Sequence, residues 1–234
     1  MSSISINQSI NANGFTILEN IYSKNEVNKI LDFLKKSDVE KSFGIRYFLK
    51  TNPQLVPLLF NEKLRSLIKH ISPKANIIKS IYFDKPPNAN WIVNWHQDLT
   101  INLEEKKEIE NFKNWRVLKD RTVVQPPLSF LENIFTIRIH LDKCTVENGA
   151  LRVVKKSHLQ GVVPLQGKSE ELSKQENICA VNQGGILIMK PLIFHSSKRT
   201  ENNQNRRVIH IEFCDQKLPS GLQWKEFQKI ALIS

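Results

Sequence analysis

Cysteine is scarce in this chain. Cys144, Cys179 and Cys214 are the only three, far apart and in no CxxC pair. That pattern excludes a disulfide framework and a zinc ribbon, and leaves three buried thiols as the expectation. Long apolar runs are also missing, none approaching the ~18 residues that a membrane span needs. The opening residues, Met1-Ser-Ser-Ile-Ser-Ile, carry neither the basic start nor the apolar stretch of a secretory signal. No membrane partner is therefore expected, and the expected location is the cytoplasm. No internal repeat or low-complexity tract appears, and no boundary divides the 234 residues, so a single domain is expected.

Charge is not scarce, but it is one-sided. Lysine and arginine number 34 against 23 acidic residues, a formal charge of +11. The basic residues are dispersed, and the densest stretch, Glu104-Glu105-Lys106-Lys107-Glu108, mixes both signs. Net charge of this kind supports long-range steering of anions but not a specific polyanion site, so nucleic acid is not the expected partner. Oligomeric state is not readable from the sequence. The apolar content of 40% and charged content of 24% are those of an ordinary globular domain.

Two grammars follow one another along the chain. Up to about residue 75 the pattern is largely helical. Gly14 to Leu18 reads as a strand, and Ser23 then caps a helix with Val27, Ile30, Leu31 and Leu34 on one face. A second helix follows Asn61, with Leu64, Leu67, Ile68 and Ile71 in register and Pro73 closing it. From about 76 to 215 short strands dominate. Ile77 to Phe83 alternates and is broken by Pro86-Pro87; Phe135 to Leu141 alternates strictly. Ala150 to Val154, Val162 to Leu165, Gly185 to Met189 and Val208 to Phe213 read as further strands. The expectation is a mainly β sandwich or barrel with flanking helices. Residues 101–133 form a long charged connection containing Trp115 and ending in Gln125-Pro-Pro. It is either a lid over a site or a surface insertion.

The chemistry concentrates in His96-Gln97-Asp98. In or at the end of a strand, residues i and i+2 project the same way, so an imidazole and a carboxylate can meet at one point. They are two thirds of the 2-His-1-carboxylate face that holds non-haem iron and leaves the opposite side open. Gly184-Gly185-Ile-Leu-Ile-Met leads through a strand to His195, which completes the face. Arg206, eleven residues on, opens the strand Arg-Arg-Val-Ile-His-Ile-Glu-Phe and offers a guanidinium fork to the distal carboxylate of 2-oxoglutarate. Arg207 could take that role instead, but only one of two successive strand residues faces inward. On the strand Phe135 to Leu141, Thr136, Arg138 and His140 share the polar face. If that face lines a cavity, Arg138 can meet a carboxylate or phosphate; if it lies outside, it meets water.

These residues, together with Lys85-Pro86 and the stretch Glu147-Asn-Gly-Ala-Leu-Arg-Val-Val-Lys-Lys-Ser-His158, resemble the phytanoyl-CoA dioxygenase family from about Ile77 to Phe213. The resemblance implies a double-stranded β-helix, the jelly-roll or cupin-like fold, with iron(II) near one open end. It implies 2-oxoglutarate and dioxygen as cosubstrates, with succinate and carbon dioxide released as the substrate is oxidised. His96, Asp98 and His195 would be the catalytic iron ligands, Arg206 the 2-oxoglutarate anchor, and Ser197 and Lys79 its helpers. Arg138, Trp115 and Gln125 are the candidate substrate contacts; Asn148, Gly149 and His158 are turn and packing elements. Halogenating relatives lack the carboxylate ligand, so Asp98 favours hydroxylation. The expected activity is hydroxylation of a small polar or anionic molecule. The alternatives are an oxygenase acting on nucleic acid or protein, and a catalytically silent jelly-roll binding protein.

Overall fold

The computed structural model describes residues 3–37, 39, 43–86, 91–202, 204–219 and 221–230. Helix α1 (Ser3–Asn13) leads into strand β1 (Phe15–Leu18) and helix α2 (Lys24–Lys36). The start of α2 is a reciprocal capping box: the Ser23 hydroxyl accepts from the Glu26 amide, and Glu26 accepts from the Ser23 amide at 2.8 Å. Strand β2 (Gly44–Arg46) precedes short helices α3 (Phe48–Thr51) and α4 (Val56–Leu59). Helix α5 (Glu62–Ile71) is capped by Asn61, whose side chain accepts from the Leu64 amide at 2.9 Å.

Ten strands of the β region follow: β3 (Asn76–Lys85), β4 (Val93–His96), β5 (Ile101–Leu103), β6 (Lys113–Val117), β7 (Thr122–Gln125), β8 (Phe135–His140), β9 (Leu151–Val154), β10 (Glu176–Cys179), β11 (Ile186–Met189) and β12 (His195–Ser197). Strands β13 (Arg206–Cys214) and β14 (Gln228–Lys229) complete the set, with helices α6 (Leu128–Glu132) and α7 (Ser169–Lys174) between. The large sheet runs β1-β11-β8-β13-β3-β14 with β2 also on β3, and the small sheet runs β10-β9-β12-β4. All pairings are antiparallel. The two sheets face one another in the jelly-roll arrangement, with β9 residues packing on Leu187 and Met189 of β11.

The outer face of the large sheet is apolar and covered by the N-terminal helices. Ile137, Ile139 and Ile211 pack there with Ile30, Leu34, Leu64 and Ile68 in one cluster. Truncating a residue such as Leu64 to alanine in this cluster would cost about 2–5 kcal/mol. The opposite, polar face of the same strands therefore turns inward. Thr136, Arg138 and His140 are all buried, which removes the water-facing alternative for β8. All three cysteines are buried and free.

One strand expectation is corrected, and two elements went unread. Residues Ser3–Asn13 form a helix because Ile6 and Ile10 of α1 dock into the same core, although the sequence there is barely amphipathic. Val162 to Leu165 forms no strand; the Val163 amide instead donates to Gln97 Oε1 at 2.9 Å. The edge of β9 is taken by β10, a polar strand pinned by an Arg152–Glu176 ion pair. Strand β3 ends before Pro86, while Pro87, the second half of the expected break, lies outside the described residues.

Residues 101–133 are not an irregular connection. They build a third antiparallel sheet, β5-β7-β6, followed by α6. Its apolar side, with Ile101, Leu103 and Val124, packs on Phe130, Leu131 and Leu222. Among the described residues no helix is long and apolar enough to cross a membrane.

Candidate metal centre and oxidation site

His96 closes β4, and Asp98 lies in the loop just beyond it. Gln97 between them is turned the other way and locked. Its amide donates to the carbonyls of Gly161 at 2.8 Å and Leu192 at 2.7 Å. The Asp98 amide donates to Pro191 at 2.8 Å. With the middle residue held outward, His96 and Asp98 share the inward side. His195 is not at the far end of the strand that follows Gly185; a turn intervenes, and it opens β12 instead. There it stands directly across from His96 in the β12–β4 register, ring centroids 4.1 Å apart.

The three side chains form one donor set. Asp98 Oδ1 lies 3.8 Å from His96 Nε2, and Oδ2 lies 3.5 Å from His195 Nε2. One ligand atom from each falls within 4.8 Å of the others, the spacing of a mononuclear metal site. Each imidazole is oriented by a backbone carbonyl: His96 Nδ1 meets Asn94 O at 2.8 Å and His195 Nδ1 meets Ile193 O at 3.0 Å. A carbonyl only accepts, so Nδ1 carries the proton and Nε2 presents its lone pair to the metal. Burial, partly countered by Asp98, pulls His195 down to about 4, so it is unprotonated and ready to ligate at neutral pH. Burial pushes the Asp98 carboxyl up, but His195, His210, Lys79 and His96 together outweigh it and hold it at about 2. Two imidazoles and one carboxylate on one side of a point, with open cavity opposite, fit iron(II).

The donor set sits on a cavity of about 410 Å³ between the two sheets. Ser197, Arg206, Lys79 and Arg138 line it as well. Arg206 is buried, its Nε unpartnered, and its guanidinium touches the Cys144 sulphur. Arg138 is also buried, its Nε unpartnered and its Nη1 3.1 Å from His210 Nδ1. Burial and then Arg206 lower the Arg138 guanidinium to about 10. Two buried guanidinium groups with unfilled donors, in a cavity open to a metal site, are waiting for anions. Lys79 is partly committed. Its ammonium donates to Glu212 Oε1 at 2.8 Å and to Thr100 O at 3.2 Å, leaving one of its three protons.

Two substrate candidates from the sequence do not line this cavity. Trp115 packs on Phe112 and donates to its carbonyl at 3.1 Å, and is not among the cavity-lining residues. Gln125 is engaged with Asn114 at 2.8 Å and lines a second opening, of about 460 Å³, together with His96 and Asp98. Asn148 holds its turn by accepting from the Thr145 amide and donating to Lys143 O, both at 2.7 Å. Gly149 has φ 77°, and a Cβ there would stand 2.6 Å from Lys198 O. The sequence reading missed His210 and Glu212. They could have been found, since both share the alternation of Arg206 along β13. It also missed Arg46, Arg116 and Arg121, for which no local signal exists.

Fold and donor set together define a mononuclear non-haem iron oxygenase built on a jelly roll. The chain belongs to the phytanoyl-CoA dioxygenase (PhyH) family, whose model matches residues 10–208. It is accordingly an iron(II)- and 2-oxoglutarate-dependent oxygenase. No curated protein matches its sequence significantly. Among similar solved structures is the epimerase SnoN from nogalamycin biosynthesis, in complex with Fe3+, alpha ketoglutarate and nogalamycin RO. It aligns with TM-score 0.69 at 11% identity over 91% of this chain and 83% of its own. EctD from S. alaskensis, with 2-oxoglutarate and 5-hydroxyectoine, gives TM-score 0.68 at 16% identity over 92% and 76%. HygX from Streptomyces hygroscopicus, with nickel and 2-oxoglutarate, gives 0.65 at 14% over 90% and 86%. At such identities the likeness is one of fold.

Proposed function

We propose that this oxygenase hydroxylates a small anionic molecule, with His96, Asp98 and His195 holding the iron and Arg206 anchoring 2-oxoglutarate. The observation that carries the reading is the pairing of the donor set with two buried, incompletely partnered arginines in one cavity. One guanidinium suffices for the distal carboxylate of 2-oxoglutarate, which leaves Arg138 for the substrate.

Bound iron(II) supplies oxygen activation coupled to the decarboxylation of 2-oxoglutarate to succinate. The chain's own residues do the rest. Asn94 and Ile193 keep both imidazoles in the ligating tautomer. Arg206 and Ser197 take the distal carboxylate, and the remaining proton of Lys79 is available to the 2-oxo acid. Arg138, braced by His210, fixes the substrate's anionic group and so sets which carbon faces the iron. The buried walls keep water from the reacting centre.

The test is substrate-coupled turnover. The protein with iron(II), 2-oxoglutarate and a panel of small carboxylated and phosphorylated metabolites should release succinate in step with a product one oxygen heavier. Iron-dependent succinate release from none of the panel, with no uncoupled background either, would overturn the reading.

A further inference from the structure

The inner end of the cavity is accounted for by iron ligation and 2-oxoglutarate; its mouth is not. Arg46, Arg116 and Arg121 line the same cavity as His195, and Arg46 and Arg116 are exposed, which places them at its open side. Strand register explains why all three turn toward it. Arg46 on β2 pairs across from Ile81, and Arg116 on β6 pairs across from Val123; Ile81 and Val123 both line the cavity. Residues directly opposite in an antiparallel pair share a face. Arg121 precedes Val123 by two and shares its side by alternation. The turn between β6 and β7 closes through Leu118 N to Arg121 O at 2.8 Å. Tyr47, next to Arg46, reaches that turn through its hydroxyl, which donates to Asp120 O at 3.5 Å. Three arginines from two separate sheets thus meet at one opening.

A single acid, Asp120, pairs with any of the three. Only Asp98 and Glu212 among the cavity-lining residues are carboxylates. Asp98 belongs to the metal, and Glu212 is held by Lys79 at 2.8 Å and His210 at 3.2 Å. Among the described residues the side chains of Arg46 and Arg116 make no hydrogen bond or ion pair. Asp120 engages Arg121 through Nη1 alone, at 2.7 and 3.0 Å, leaving Nε and Nη2 to donate. Burial and then Arg121 lower the Arg46 guanidinium, with Asp120 offsetting only part of it. Iron(II) and 2-oxoglutarate bring opposite charges that cancel, so loading the inner site does not relieve this excess.

We propose that Arg46, Arg116 and Arg121 form a phosphate-binding rim, and that the substrate is a small phosphorylated molecule. Its phosphate stays at the mouth, while the rest of the molecule, with the second anionic group that Arg138 holds, reaches in toward His96 and His195. The inference rests on the oxygenase reading above and names its substrate class. A carboxylate is filled by one guanidinium fork, whereas three forks from three directions match a tetrahedral dianion. A nucleic-acid strand is the less fitting occupant, since it needs a basic track that continues across the surface. Here the turn that carries Arg121 also carries exposed Asp120, which interrupts any such track.

The experiment uses protein saturated with iron(II) and 2-oxoglutarate without oxygen, so that Arg206 is occupied. Inorganic phosphate and glycerol phosphate are titrated calorimetrically, with citrate and a short oligonucleotide as competing probes. Saturable phosphate binding is expected. It should weaken about tenfold or more in Arg116→Gln/Arg121→Gln and in Arg46→Gln, the scale of a lost charged hydrogen bond. Lys119→Gln, on the same turn but not lining the cavity, should leave it unchanged. Equal phosphate binding by the arginine variants overturns the rim. Citrate binding as tightly as phosphate overturns the phosphate assignment, and tighter arginine-dependent oligonucleotide binding overturns the small-molecule one. The visible iron–2-oxoglutarate band, recorded in the same samples, separates the two levels. A band without phosphate binding refutes only the rim, and rim-dependent phosphate binding without a band refutes only the oxygenase reading.

Discussion

Arg206 and Arg207 are neighbours on β13 and face opposite ways. Arg206 points into the cavity with its Nε unpartnered. Arg207 is fastened outside to Asp142 through its backbone amide, Nε and Nη2 at 2.8, 2.9 and 2.8 Å. Arg206→Ala should therefore raise the 2-oxoglutarate requirement sharply, by roughly 2–5 kcal/mol in apparent binding. Arg207→Ala should instead lower stability by about 1–3 kcal/mol and leave the cosubstrate requirement nearly unchanged. Titrating 2-oxoglutarate against succinate release, beside denaturant melts, separates the two. A larger cosubstrate defect at Arg207 would mean that the strand register is off by one residue.

The metal assignment has a spectroscopic signature. Anaerobic iron(II) plus 2-oxoglutarate should give a weak visible charge-transfer band. His96→Ala and His195→Ala should each abolish it, because two remaining ligands no longer hold a facial site. Wild-type iron affinity and an intact band in both variants would reassign the ligands.

Acid should destabilise the protein through His140. This imidazole is buried, neither ring nitrogen has a partner, and burial followed by Arg138 and Arg206 keeps its proton affinity well below the ordinary value. The unfolded chain takes up that proton below about pH 6.5, whereas the folded chain resists it. Stability carried by the neutral ring is thus present above pH 6.5 and is lost as the pH falls below it. His140→Leu should flatten the fall in melting temperature between pH 7 and pH 5. An unchanged slope would locate the acid sensitivity in other groups.

The β5-β7-β6 sheet is expected to act as a lid. Its strand β6 is largely exposed, yet Arg116 and Val123 line the cavity, so the sheet can close on an occupied site. Hydrogen exchange across residues 113–121 should slow when iron, 2-oxoglutarate and substrate are bound together. Replacing those residues with a glycine-serine loop should lower substrate oxidation far more than iron binding. Unchanged exchange combined with full activity of the replacement would make the sheet an inert insertion.

Local pattern alone put His96 and Asp98 on one side of their segment, set Arg206 and Arg207 facing opposite ways, and marked the cap at Ser23 and the helix start after Asn61. Each follows from a short-range rule: alternation along a strand, or a side chain reaching an amide three residues on. The strict alternation of Phe135 to Leu141 likewise showed two distinct faces. Which face turned inward was decided by the N-terminal helices, whose docking on Ile137 and Ile139 forces Arg138 and His140 toward the cavity. Strand β10 is polar and became a strand because β9 offered an unpaired edge, while α1 needed a core to dock on. Trp115, conspicuous in the sequence, went to packing on Phe112. Arg46 and Arg121 are 75 residues apart in the chain and meet only through the β2–β3 and β6–β7 pairings. Periodicity specifies which way a side chain faces relative to its neighbours; what it faces depends on contacts between distant segments, and these form only when the whole chain packs.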